Sequence, residues 1–77
     1  MTRILICLED TERREQFARW LARHDWVIEM TATDREMLER VLSQGYHAAV
    51  VAVDTLESVR TLGLVQKIAP GLPLIVV

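Results

Sequence analysis

An open α/β fold with a parallel sheet, its elements in the order βαβαβαβ, is what this sequence of 77 residues predicts. Three observations lead there. The hydrophobic period switches repeatedly between continuous apolar runs and helical spacing. The runs Ile4-Leu5-Ile6-Cys7-Leu8 and Ala48-Ala49-Val50-Val51-Ala52-Val53 are unbroken, as strands covered on both faces must be. The connections between them are short, which favours parallel strands joined by right-handed crossovers.

Taken in order, residues 3–8 form the first strand. From Thr11 to His24 the apolar positions Phe17, Trp20, Leu21 and Ala22 fall on one helical face. Thr11, or Asp10 before it, caps the start, and Glu12 and Glu15 suit the positive end of the helix dipole. Asp25 ends this helix, and Trp26 to Met30 form a short second strand. Thr33 or Asp34 caps a second helix with a stripe of Met37, Leu38, Val41 and Leu42, stopped by Gly45. Residues 48–53 make the third strand, and 57–69 a third helix carrying Leu62, Val65, Ile68 and Ala69. Pro70-Gly71-Leu72-Pro73 is a turn, and Leu74-Ile75-Val76-Val77 begins a fourth strand. Residues 1–77 thus read as one domain, C-terminally incomplete because the chain stops within that strand. A flat apolar edge of this kind is normally covered or paired. Self-association, low solubility or a homodimer is the expectation.

Hydrophobic residues make up 51% and charged residues 26%, which is globular rather than disordered. Nine basic and eleven acidic side chains leave a net charge of −2. Arg13, Arg14, Arg19 and Arg23 interleave with Glu12 and Glu15, a solvated face rather than a nucleic-acid footprint. Cys7 is the only cysteine and sits in an apolar run, so it reads as a small buried thiol. No stretch has the length of a membrane span, and no signal-peptide pattern opens the chain, so a cytoplasmic location is expected.

Chemistry concentrates where strands end. The first strand leads into Glu9 and Asp10, and the third into Asp54. Ligands of open parallel sheets bind outside the carboxyl ends of the strands, where strand order reverses. Three carboxylates around one crevice would seat a hard cation such as Mg²⁺. Each has a plainer role too: Glu9 and Asp10 suit a helix start, and Asp54 with Glu57 resembles a capping box. Thr55 and Ser58 either reach a phosphate or cap a helix. His24 and His47 have no second ligand at metal spacing, Trp20 and Trp26 should pack against the sheet, and Met30 and Met37 should fill the core.

The opening Arg3-Ile4-Leu5-Ile6, the acids after it, Arg13-Arg14-Glu15, Asp25-Trp26, Tyr46, Asp54 and Leu72-Pro73-Leu74-Ile75-Val76-Val77 together resemble the receiver domain of bacterial two-component response regulators. The resemblance spans the whole chain but about the first two-thirds of such a domain. It implies a flavodoxin-like (CheY-like) sheet in the order 2-1-3-4, truncated before a fifth strand. It further implies a non-enzymatic signalling module in which Asp54 accepts a phosphoryl group from a histidine kinase or phosphotransfer protein. Mg²⁺ would be held by Glu9, Asp10 and Asp54. An effector domain or partner protein would lie beyond the C-terminus, with no direct binding of nucleic acid or membrane by the receiver. Three departures point to an alternative. Leu8 takes the first acid place, Thr55-Leu56-Glu57-Ser58-Val59 stands where the family has Met-Pro and Asp-Gly, and spacing from Tyr46 puts Ala52 at the acceptor position. They favour a pseudo-receiver, the same fold kept for protein interaction or dimerisation without phosphorylation. A third class, a phosphate- or nucleotide-binding flavodoxin-like protein, lacks the glycine-rich loop it needs.

Overall fold

The computed structural model describes residues 1–77 apart from Arg23, Gln44 and Asp54. Strands and helices alternate as expected: β1 Arg3–Cys7, α1 Thr11–Leu21, β2 Val27–Thr31, α2 Asp34–Ser43, β3 Ala48–Val51, α3 Leu56–Ile68 and β4 Leu74–Val76. The sheet runs β2-β1-β3-β4 with every pairing parallel. Strand order therefore reverses at β1, which has a neighbour on each side.

Side-chain alternation along β1 divides the core in two. Ile4, Ile6 and Leu8, with Val50 of β3, pack against Phe17, Ala18 and Leu21 of α1 and against Trp26 and Ile28. Leu5 and Cys7, with Ala49 and Val51, pack against Met37 and Val41 of α2 and Val65 of α3. Leu5 and Ile6 are fully buried, each contributing about 1.5–3 kcal/mol by burial. This is why the β1 run is continuously apolar: both of its faces are interior.

Caps fix where the helices start. Asp10 Oδ1 accepts the N–H groups of Glu12 at 2.9 Å and Arg13 at 3.3 Å. Thr33 Oγ1 accepts the Glu36 N–H at 3.2 Å and bonds back to Glu36 Oε1. The cap of α3 is Thr55, whose Oγ1 accepts the Ser58 N–H at 3.0 Å. The capping-box reading of Asp54 with Glu57 lies outside the described residues.

Other boundaries shift for physical reasons. Helix α1 stops at Leu21 rather than His24, and the His24 ring instead stacks on Trp26 with centroids 4.3 Å apart. Strand β3 stops at Val51 rather than Val53, because its partner β1 stops at the paired Cys7. Trp20 is exposed, not packed on the sheet, since Phe17 and Leu21 take the buried stripe of α1. Met30 is half-exposed because β2 is an edge strand, and Leu42 and Ile68 fall outside the buried faces of their helices. Trp26, Met37 and Cys7 are in or against the core as expected.

The amino end of the sheet is held by a polar cluster. Arg3 N–H donates to His47 Nδ1 at 3.0 Å while His47 N–H donates to Arg3 O at 2.8 Å, so a side chain extends the β1–β3 ladder. The Arg3 guanidinium bonds Glu29, which also accepts from Arg40 at 3.2 Å, and lies 5.0 Å from the centre of the Tyr46 ring. Gly45, at φ +95°, passes so close that an added Cβ would sit 2.8 Å from Arg3 Nη1. No described helix is long and apolar enough to cross a membrane.

Candidate functional site

A crevice of about 580 Å³ opens at the carboxyl ends of β1, β2 and β3. Its position is set by topology, because strand order reverses at β1 and the following loops diverge to opposite faces. Cys7 and Ala52 contribute apolar lining, and Glu9, Thr33, Asp34, Arg35, Thr55, Glu57 and Ser58 contribute polar lining.

The strand ends decide the chemistry. Cys7 pairs with Val51, so Leu8 and Ala52 are the next residues along the two central strands. Leu8 is 1% exposed and packs beneath α1, so the first residue after β1 adds an apolar side chain to the core. Arg14 Nη1 reaches back to the Leu8 carbonyl at 3.0 Å and ties the first turns of α1 to this strand end. Ala52 brings no functional group to the crevice. The Cys7 thiol is pushed up in pKa by burial, as befits a core thiol rather than a nucleophile.

Of the three expected carboxylates, Glu9 is exposed and lines the crevice. Asp10 sits beside it but is engaged as the α1 cap through Oδ1. Asp54 lies outside the described residues. Among the described residues no group of three His, Cys, Asp or Glu side chains could hold a metal ion. Among the described residues, Glu9 is the expected ligand that lines the crevice without a capping role.

Sequence reasoning missed the contribution of the β2 end. Thr33, Asp34 and Arg35 join the crevice because β2 flanks β1, and Thr61 Oγ1 on α3 donates to Asp34 Oδ2 at 3.2 Å. The signal was present as an acid shortly after a strand, the pattern already recognised after β1 and β3. Thr31 Oγ1, beside Cys7 in the pairing of β1 with β2, is buried and has no hydrogen-bond partner among the described residues.

No protein-family model matches the sequence, and no curated protein matches it significantly. Solved structures do match. The complex of histidine kinase ThkA with response regulator protein TrrA aligns with TM-score 0.87 and 19% identity, covering 99% of this chain and 67% of that one. A CheY-like response regulator receiver domain protein from Methanospirillum hungatei JF-1 aligns at 0.89 and 23%, covering 99% and 62%. TrrA from Thermotoga maritima in complex with Mg²⁺-BeF aligns at 0.88 and 19%, covering 99% and 68%. The chain thus spans 62% to 68% of the length of these structures. At such identities the likeness carries architecture alone, and that architecture, with its 2-1-3-4 sheet, is the CheY-like receiver fold.

Proposed function

We propose that this chain is a signalling module of the receiver type that works through protein contacts rather than through a phosphoryl group of its own. One observation carries the reading: the residues that directly follow the paired ends of the two central strands are Leu8, buried in the core, and Ala52, so neither brings to the crevice the charge that phosphoryl transfer needs. The partner class is a histidine kinase or phosphotransfer protein, supported by the likeness to a response regulator solved together with a histidine kinase. An effector domain or partner protein is the destination of the signal. The chain is a cytoplasmic receiver of information and not an enzyme.

A second reading has its own support. Glu9 on the crevice and the hydroxyls of Thr55 and Ser58 at the start of α3 suit a phosphoacceptor at Asp54, with Mg²⁺ at Glu9, Asp10 and Asp54. The likeness to TrrA bound to Mg²⁺-BeF points the same way. The deciding experiment incubates the chain with a small acyl phosphate and Mg²⁺ and measures intact mass. The first reading expects no phosphoryl adduct. An adduct that disappears in Asp54→Asn would overturn it in favour of the second.

A further inference from the structure

We infer that His47 is a proton-operated latch at the amino end of the sheet: protonation of its ring loosens the start of β1 from the start of β3, while β1 stays joined to β2. Two bonds make the latch. The Arg3 N–H donates to His47 Nδ1 at 3.0 Å, and the His47 N–H donates to the Arg3 carbonyl at 2.8 Å. Nδ1 is the acceptor, so the proton of the neutral ring sits on Nε2. His47 is exposed, and a proton from solvent reaches Nδ1 without any opening of the core. Once protonated, Nδ1 is a donor facing the donor of Arg3, so the first bond is lost and the ring must turn away. The other side of β1 is held independently. Val27 N–H donates to the Thr2 carbonyl at 2.8 Å, and the Arg3 guanidinium bonds Glu29 of β2.

The surrounding charges leave this switch to the imidazole. Among the described residues, the charged and titratable groups at this end are Arg3 of β1, Glu29 of β2, Arg40 of α2, Tyr46 beside His47, His24 and Asp25 before β2, and the amino group of Met1. The turn Ala69 to Pro73 before β4 brings none. Arg3 and Arg40 both bond Glu29, whose carboxyl is held below its ordinary range by the Arg3 hydrogen bond and so stays ionised at neutral and mildly acid pH. The Arg3 guanidinium lies 5.0 Å from the centre of the Tyr46 ring and remains a cation throughout. The His24 ring is stacked on Trp26. An imidazole changes charge between about pH 5 and 8, and of these groups the His47 ring is the one bonded to the Arg3 N–H. The latch is therefore closed towards the alkaline side of that window and opens towards the acid side.

The test follows amide hydrogen exchange of the chain by NMR from about pH 8 to about pH 5, corrected for the intrinsic pH dependence of exchange. Protection of the Arg3 amide should fall about two- to tenfold towards the acid side, the size expected for one exposed hydrogen bond. Protection of the Val27 amide should not change, because its bond to Thr2 lies on the other side of β1. His47→Asn places an amide oxygen where Nδ1 stood and cannot be protonated in this range, so Arg3 should stay protected throughout. That variant leaves His24 and the amino group of Met1 in place, which separates their titration from that of His47. His47→Ala should leave the Arg3 amide weakly protected at every pH. The residue is exposed, so both variants should otherwise keep the spectrum of the parent. Arg3 protection that is constant with pH in the parent, or that falls equally in His47→Asn, overturns the inference. So does a matching fall at Val27, since the whole end of the sheet would then be opening rather than one seam.

Discussion

Thr61 and Asp34 join two helices that no backbone hydrogen bond connects: the buried threonine hydroxyl of α3 donates to the carboxylate at the start of α2 across 3.2 Å. Thr61→Val keeps the shape of the side chain and removes the donor. It should cost about 1 kcal/mol of unfolding free energy in urea, and a double-mutant cycle with Asp34→Ala should show coupling of similar size. Additive single effects would mean that the bond contributes nothing.

Restoring an acid after β1 should damage the fold before it restores any chemistry. Leu8→Asp buries a carboxylate among Ile4, Ile6 and Phe17 and loses a core leucine. We expect a loss of about 3 kcal/mol or more, read by chemical denaturation. A variant as stable as the parent would show that the side chain at position 8 can turn to the crevice, which would favour the metal-binding reading.

Asp10 separates capping from metal binding. Asp10→Asn retains the oxygen that accepts from Glu12 and Arg13 and should leave stability nearly unchanged. Asp10→Ala should cost about 1 kcal/mol. If Asp10 is only a cap, neither variant alters shifts produced by added Mg²⁺ at Glu9; a change in the Asn variant would assign it to a cation.

The Glu29 carboxyl is held below its ordinary range, first by the hydrogen bond from Arg3 and then by the nearby positive charges of Arg3 and Arg40. Its folded pKa lies below the unfolded value, so its stabilising contribution is complete above the usual carboxylate range near 4.5. That contribution fades as pH falls through the unfolded value towards the lowered folded one. Glu29→Gln should flatten this acid limb of stability against pH, and added salt should weaken it, because the cluster is partly solvent-exposed. An unchanged acid limb in the Gln variant would place the loss elsewhere.

Gly45→Ala should be destabilising by about 1 kcal/mol, since an L side chain at φ +95° is strained. The new methyl also meets Arg3 Nη1, a flexible group that can move aside. The thermal midpoint should therefore fall, and the Tyr46 ring signals, which sense the guanidinium above them, should shift with it.

Most of the architecture was legible because burial leaves a direct pattern in sequence. The β1 and β3 runs are apolar on both faces, and the two helices between them announce their starts with Asp10 and Thr33. What escaped was set by neighbours. The end of β3 follows from where β1 stops, and the exposure of Met30 follows from the place of β2 at an edge, neither of which is local. Trp20 was read by its size, while helical phase gave the buried stripe to Phe17 and Leu21. At the site, the acids after β1 were legible but their duties were not. Whether Asp10 caps or coordinates depends on a backbone angle, and whether residue 8 faces core or crevice depends on strand register.

The central place of β1 also governs how the chain comes together. It precedes both of its lateral partners in the sequence, and they join it from opposite sides. The bonds between Arg3 and His47 close a separation of 44 residues. Until β3 has been made, Ile4, Leu5 and Ile6 have no complete shelter, and a nascent chain carries this apolar segment exposed. Such non-local closure slows folding and prolongs the interval in which the segment can stick to other chains or recruit a chaperone. Of these four strands, β1 is made before the others yet is enclosed only once β3 has followed it.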